Sequence, residues 1–198
     1  MGSRDIFRGR EIFTGRMAEA DLFDRWVTSK KAVNILEEWK TSGRFIPLEE
    51  MMDLVRTSPQ GNPLNPSKPF ARELRKSIAS FLSLSKDDEN QLKFYTAVSS
   101  PLDLHGGTDA WIELIDKTGV RRVVTLDGTI NPNKDSTKAD VLIGEVPDPT
   151  EDQSGFQHQV QYIAERVAMQ FGFEKKKQEY TTLSSTAPGV VRRVKKAA

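Results

Sequence analysis

The chain has 198 residues, of which 37% are hydrophobic and 29% are charged, and its formal net charge is +1. This composition predicts a folded domain with a sizeable core and excludes a membrane-spanning helix, because no apolar run approaches the roughly 20 residues that a bilayer requires. The lack of cysteine excludes disulfides, thiolate metal sites and cysteine nucleophiles, and with the lack of an apolar leader it predicts a cytoplasmic (intracellular) protein.

Residues 1–16 form a basic arm with an internal repeat. The segment IFRGR at residues 6–10 is followed by IFTGR at residues 12–16, and the arm carries a net charge of +2. Glycine and arginine with interleaved aromatic residues are typical of a flexible arm that contacts a charged polymer or a partner surface. The predicted phosphate-binding residues of this arm are Arg8, Arg10 and Arg16.

Residues 17–66 predict a helical region that ends in a proline-rich linker. Apolar residues recur near helical spacing from Met17 to Thr41 and indicate one long helix. Pro47 begins a second, shorter helix. The segment TSPQGNPLNP that follows contains three prolines and a glycine, which is typical of a linker or a long ordered loop.

Residues 67–173 predict an α/β core. Ser67 is the predicted cap of a third helix, SKDD at residues 85–88 has the pattern of a capping box before a short fourth helix, and Ser154 with Gln157 has that pattern before the last helix. Four runs of aromatic and β-branched residues lie between these helices, each bounded by turn residues: FYTAVSS, AWIELI, RRVVTL and ADVLIGEV. The predicted fold is α+β, with N-terminal helices followed by a small four-stranded sheet and a last helix.

Residues 174–198 form a basic tail with a net charge of +5, so residues 17–173 carry about −6. Basic ends on an acidic body are typical of a protein whose termini contact nucleic acid with strong salt dependence. The alternative is a tail that only increases solubility. The predicted nucleic-acid-binding residues of the tail are Arg192, Arg193, Lys195 and Lys196.

The segment GGTDAWIELIDKTGVRRVVTLDGTINPNK, residues 106–134, carries the main candidates for chemistry. Its turn at residues 116–119 predicts a hairpin in which Asp109 faces either Leu126 or Asp127, so the two carboxylates meet at one end. Like charges at that separation repel unless a proton or a cation lies between them, and Mg²⁺ or Mn²⁺ with oxygen ligands would resolve the conflict. The alternative is that both aspartates accept hydrogen bonds from loop amides.

Strand alternation in the hairpin separates two faces. If Asp109 faces Asp127, then Trp111 and Glu113 share their face, which is mixed in character and is expected to border a cleft or solvent. Glu113 lies one pleat further in and is a third candidate metal ligand. The opposite face is uniformly apolar and is expected to be core.

This pattern of aspartate, hairpin, second acidic residue and nearby lysine resembles the PD-(D/E)XK nuclease superfamily, also called the restriction-endonuclease-like fold. The resemblance covers residues 67–171 and implies a mixed sheet flanked by helices, a Mg²⁺ cofactor and DNA as substrate. Asp109 matches the first metal-binding aspartate, and Asp127-Gly128-Thr129 stands where the family has its acidic-x-lysine motif. Because Thr129 occupies the lysine position, Lys134 or Lys138 is the candidate for a displaced catalytic amine.

The resemblance leaves several assignments open. Asp103 is an alternative first aspartate, and Glu73 on the preceding helix is a candidate accessory ligand. The strand ADVLIGEV precedes the last helix, whereas the family places a helix first. The resemblance implies a metal-dependent nuclease, an endonuclease or exonuclease of the hydrolase class. The alternative is a non-catalytic nucleic-acid-associated assembly or adaptor protein that retains the fold and holds a protein partner through its termini.

Overall fold

The computed structural model describes residues 17–59, 61–131 and 137–173. The helices in these ranges are α1 at residues 17–23, α2 Lys30–Ser42, α3 Leu48–Thr57, α4 Pro69–Phe81 and α5 Gln153–Gln170. The strands are β1 Leu92–Thr96, β2 Ala110–Ile115, β3 Arg121–Gly128 and β4 Val141–Ile143. A 3-10 turn, Glu89–Gln91, precedes β1, and a π-helical turn, Leu102–Gly106, lies between β1 and β2.

The four strands form one mixed sheet in the order β1-β2-β3-β4. The first two pairs are antiparallel, and β3 and β4 are parallel. The predicted α+β fold with a four-stranded mixed sheet is therefore confirmed. Ala110 pairs with Leu126, which is the register that sets Asp109 opposite Asp127. The hairpin turn has Gly119 at a φ of +84°, and its N–H donates to the carbonyl of Asp116 at 2.9 Å.

Helices cover both faces of the sheet. On one face, α4 and α5 pack on the apolar side chains of β2 and β3, including Ile112 and Leu126. On the other face, α3 packs Met52 and Val55 against Trp111. The expectation that the Trp111 and Glu113 face borders a cleft or solvent is wrong, because α2 and α3 cover it with apolar side chains. Residues 17–66 therefore share a core cluster with the sheet.

The prediction of a single long helix from Met17 to Thr41 is also wrong, because the helix is interrupted between α1 and α2. Asp24 adopts a left-handed φ of +71°, and its carbonyl accepts a hydrogen bond from the Thr96 hydroxyl at 2.9 Å. Trp26 donates from its backbone to Val98 and from its indole to Ser58, each at 2.9 Å. These tertiary contacts outweigh the helical periodicity, and Ser29 caps a new helix.

Two predicted helix caps differ in the structure. Lys68 rather than Ser67 occupies the N-cap of α4, because Pro69 begins the helix and the Ser67 hydroxyl donates to Asp24 at 2.7 Å. Asp152 rather than Ser154 caps α5, and its carboxylate accepts from the Gly155 N–H at 2.8 Å. No helix in the described ranges combines the length and apolar character needed to cross a membrane.

Candidate metal centre

Three carboxylates from separate parts of the chain meet at one end of the hairpin. Glu19 comes from α1, Asp103 from the π-helical turn and Asp109 from the residue before β2, and one oxygen of each lies within 4.8 Å of the others. Such a set of hard oxygen donors suits Mg²⁺ or Mn²⁺. The structure thus brings the predicted Asp109 together with Asp103, the alternative first aspartate, and with Glu19, which no sequence pattern had indicated.

The turn after β1 positions Asp103. The backbone N–H of Ser99 donates to the Asp103 carboxylate at 2.7 Å, and Ser99 has a left-handed φ of +70°. Gly107, at a φ of +66°, donates its N–H to the Asp103 carbonyl at 3.0 Å. A serine in this region of φ is uncommon and costs conformational energy, so tertiary contacts must maintain the turn that presents Asp103.

Asp109 is buried, with 3% of its surface exposed, and the Gly128 N–H donates to its carboxylate at 2.7 Å. Burial, together with the negative charges of Glu19, Asp103 and Asp127, raises the pKa of Asp109 to about 8, although the Gly128 hydrogen bond acts in the opposite direction. At neutral pH, therefore, either Asp109 carries a proton or a cation lies among the three carboxylates.

Gly128 permits the close approach of α1 to the end of β3. A β-carbon on Gly128 would lie 3.1 Å from the Phe23 ring, 3.6 Å from the Asp109 carboxylate and 3.7 Å from Cγ of Glu19. Even the methyl group of alanine at this position would require the Phe23 ring to shift by a few tenths of an ångström. The packing of Phe23 into the core therefore brings Glu19, one helical turn earlier, to Asp109.

Asp127 faces Asp109 across the hairpin but lies outside the group of three carboxylates. It is buried and accepts a hydrogen bond from the Thr137 hydroxyl. Of the three charges that raise the pKa of Asp109, that of Asp127 has the smallest effect and that of Glu19 the largest. Asp109 and Asp127 thus lie opposite each other as predicted, but the carboxylate oxygens grouped with that of Asp109 come from Glu19 and Asp103.

Glu113 does not extend the metal site as predicted. Its carboxylate accepts from Nε of Arg56 at 2.8 Å and lies 3.5 Å from Arg121. Arg56 also binds Glu49 and Asp53, each at 2.7 Å. Glu113 forms this ion pair because α3 packs on this face of the sheet and places Arg56 beside it, which gives the buried carboxylate a counter-charge.

Glu73, the predicted accessory ligand, instead pairs with Lys76 at 2.9 Å.

Of the two candidate lysines, Lys138 lies against the loop that joins Asp103 to Asp109. Its Cδ atom is 4.0 Å from the place that a β-carbon would take on Gly107, in the loop between Asp103 and Asp109. Its side chain is exposed. Lys134 lies outside the described residues, as do the basic arm and the basic tail with all the arginines and lysines assigned to nucleic acid binding.

Thr129, at the family's lysine position, joins the ends of two strands. Its N–H donates to the Ile143 carbonyl at 2.8 Å, and its hydroxyl accepts from the Asn131 N–H at 3.1 Å.

No family model, curated protein or solved structure matches the chain. The function proposed below therefore depends on the residues and geometry of this site.

Proposed function

We propose that the protein is a metal-dependent nuclease that hydrolyses phosphodiester bonds in DNA. The observation that carries this proposal is the group of three carboxylates formed by Glu19, Asp103 and Asp109, of which Asp109 is buried. The three oxygens suit a small divalent cation because Mg²⁺ and Mn²⁺ prefer oxygen ligands, and a cation would compensate the repulsion that raises the pKa of Asp109. The basic termini support DNA as the substrate.

Each group in the site has a role in the proposed reaction. The cation would lower the pKa of a water molecule and neutralise charge on the phosphate. Glu19, Asp103 and Asp109 hold the cation, and Lys138 contributes its ammonium group to the phosphate oxygens. The water oxygen forms a bond to phosphorus as the bond to the leaving oxygen breaks, and that oxygen takes a proton. The products are a phosphate monoester and a hydroxyl group.

Metal-dependent stabilisation is the first test. The metal-free protein is melted with and without Mg²⁺ or Mn²⁺, and wild type should gain about 2.7 kcal/mol when the metal is at a hundred times its Kd. Glu19→Gln should lose most of this gain, because it removes one charged ligand without changing the size of the side chain. Glu73→Gln is the matched control, since Glu73 lies on α4 paired with Lys76, and it should respond to metal as wild type does.

Cleavage of DNA is the second test. Wild type should cleave in Mg²⁺ or Mn²⁺, activity should be lost in Asp109→Asn and Asp103→Asn, and Lys138→Ala should reduce the rate without changing the metal-dependent melting temperature. Equal metal responses in wild type and Glu19→Gln would show that the three carboxylates do not form the metal site. A metal response without cleavage would leave metal binding and exclude the nuclease.

A second candidate function is the non-catalytic adaptor, and an exposed apolar surface favours it. Phe45 is 85% exposed, and Leu48 and Leu104 are each about half exposed. A cavity of about 310 Å³ lies near these residues, because its walls include Ile46, which follows Phe45, and His105, which follows Leu104. Large exposed apolar side chains beside a cavity are typical of an interaction site. Metal-dependent stabilisation without cleavage in either metal would favour this function over the nuclease.

A further inference from the structure

A cavity of about 210 Å³ adjoins the candidate metal centre. Its walls come from α1, from the end of β3 and from the segment after β4, and they include Glu19, Leu22, Gly128, Ile130, Gly144 and Val146. Glu19 belongs both to this cavity and to the three carboxylates. At Gly128, a β-carbon would lie 3.6 Å from the Asp109 carboxylate. A molecule in the cavity would therefore lie next to a group bound at the metal.

The walls of this cavity combine apolar and acidic side chains. Leu22, Ile130 and Val146 are apolar, whereas Asp21 and Glu145 add two carboxylates to that of Glu19. Carboxylates repel a phosphate, so a nucleic acid backbone would not enter here. A neutral and largely apolar group with N–H donors at its edge meets both requirements, because its face can contact the apolar walls while its donors bind the acids. A nucleobase has this chemistry.

We propose that the cavity binds one unpaired nucleobase beside the phosphate that is cleaved, so that the substrate is single-stranded DNA. This inference rests on the proposed nuclease function and specifies its substrate. The base of a duplex is stacked and paired, and placing it in such a cavity would require unpairing at a cost of a few kcal/mol. A single strand places the base there without that cost.

Gly144 is a position on the cavity wall where an added β-carbon meets no other atom. A β-carbon on Gly144 would have no atom within 4 Å, and its φ lies outside the left-handed region. Gly144→Val should therefore project into open space at the cavity wall. Ile130 is about half exposed, so Ile130→Ala removes part of an apolar wall without emptying the core. The two variants change the cavity in opposite directions, and neither alters a carboxylate of the metal centre.

The test compares kcat/KM on three substrates of one sequence: a single strand, its duplex, and single strands with one abasic site moved along the nucleotides that flank the cleaved bond. Wild type should cleave the single strand at least about tenfold faster than the duplex, and one abasic position should lower kcat/KM about tenfold, equivalent to about 1.4 kcal/mol. Gly144→Val and Ile130→Ala should each lower cleavage of the intact single strand and have little effect on that abasic substrate.

The metal-dependent melting shift of both variants should equal that of wild type, which separates this inference from the metal site. Equal cleavage of duplex and single strand, or equal losses on intact and abasic substrates, would overturn the base-binding role while leaving the nuclease in place. No cleavage of any substrate by wild type would overturn both the proposed function and this inference.

Discussion

The pKa of Asp109 predicts an unusual dependence of stability on pH in the metal-free protein. Burial and the charges of the neighbouring carboxylates raise this pKa from the ordinary aspartate value of about 4 to about 8. Between these two values the folded protein holds a proton that the unfolded chain has released, so the contribution of Asp109 to stability is greatest below about pH 4 and is lost as pH rises towards 8. Most buried carboxyl groups with ion-pair partners show the opposite trend.

The size of this effect follows from the shift. One pKa unit corresponds to about 1.4 kcal/mol, so a shift of about four units represents a loss on the order of 5 kcal/mol across the whole window. Asp109→Asn keeps an oxygen that can accept from the Gly128 N–H and removes the ionisation. The variant should therefore be no more stable than wild type at pH 4 and clearly more stable at pH 8 in the absence of metal.

Urea denaturation in a chelating buffer at pH 5, 6 and 7 measures the effect. The free energy of unfolding of wild type, relative to Asp109→Asn, should fall by about 1.4 kcal/mol per pH unit. Asp116→Asn is the control, because hydrogen bonds in the turn, chiefly from Thr118, lower the pKa of Asp116, which therefore does not titrate in this window. A difference between wild type and Asp109→Asn that stays constant from pH 5 to 7 would refute the reasoning.

Two further predictions concern the buried ion pair and the tail. Arg56→Met should lower the free energy of unfolding, measured in urea, by about 3 kcal/mol, because it leaves Glu113 buried with Arg121 as a more distant cation. Arg44→Met, in the exposed pair with Glu50, should change stability little. Equal losses in the two variants would contradict the conclusion that Arg56 compensates the buried charge of Glu113. Deletion of residues 174–198 should reduce the salt dependence of DNA affinity measured by fluorescence anisotropy, because seven basic residues are removed, and an unchanged slope would exclude the tail from binding.

Local patterns in the sequence were sufficient for the sheet and its hairpin. The four runs of β-branched and aromatic residues correspond to β1–β4, and the turn chemistry at Asp116 to Gly119 limited the register to two choices, one of which sets Asp109 opposite Asp127 as observed. Both depend on interactions within a few residues or across one tight turn, so they can be read from the order of amino acids. Asp109 was identified for the same reason, since it lies at the end of that register.

Partners distant in sequence decided the rest of the candidate site. Glu19 reaches Asp109 across 90 positions because Phe23 packs into the core and Gly128 leaves space for α1. The helical periodicity of residues 17–41 hides this, since the break at Asp24 arises from hydrogen bonds to β1 and to the segment after it. Glu113 likewise could be assigned to an ion pair only when α3 was seen to place Arg56 over the sheet. Such choices depend on the energy of tertiary contacts, which no local pattern contains, so they become visible only in the folded chain.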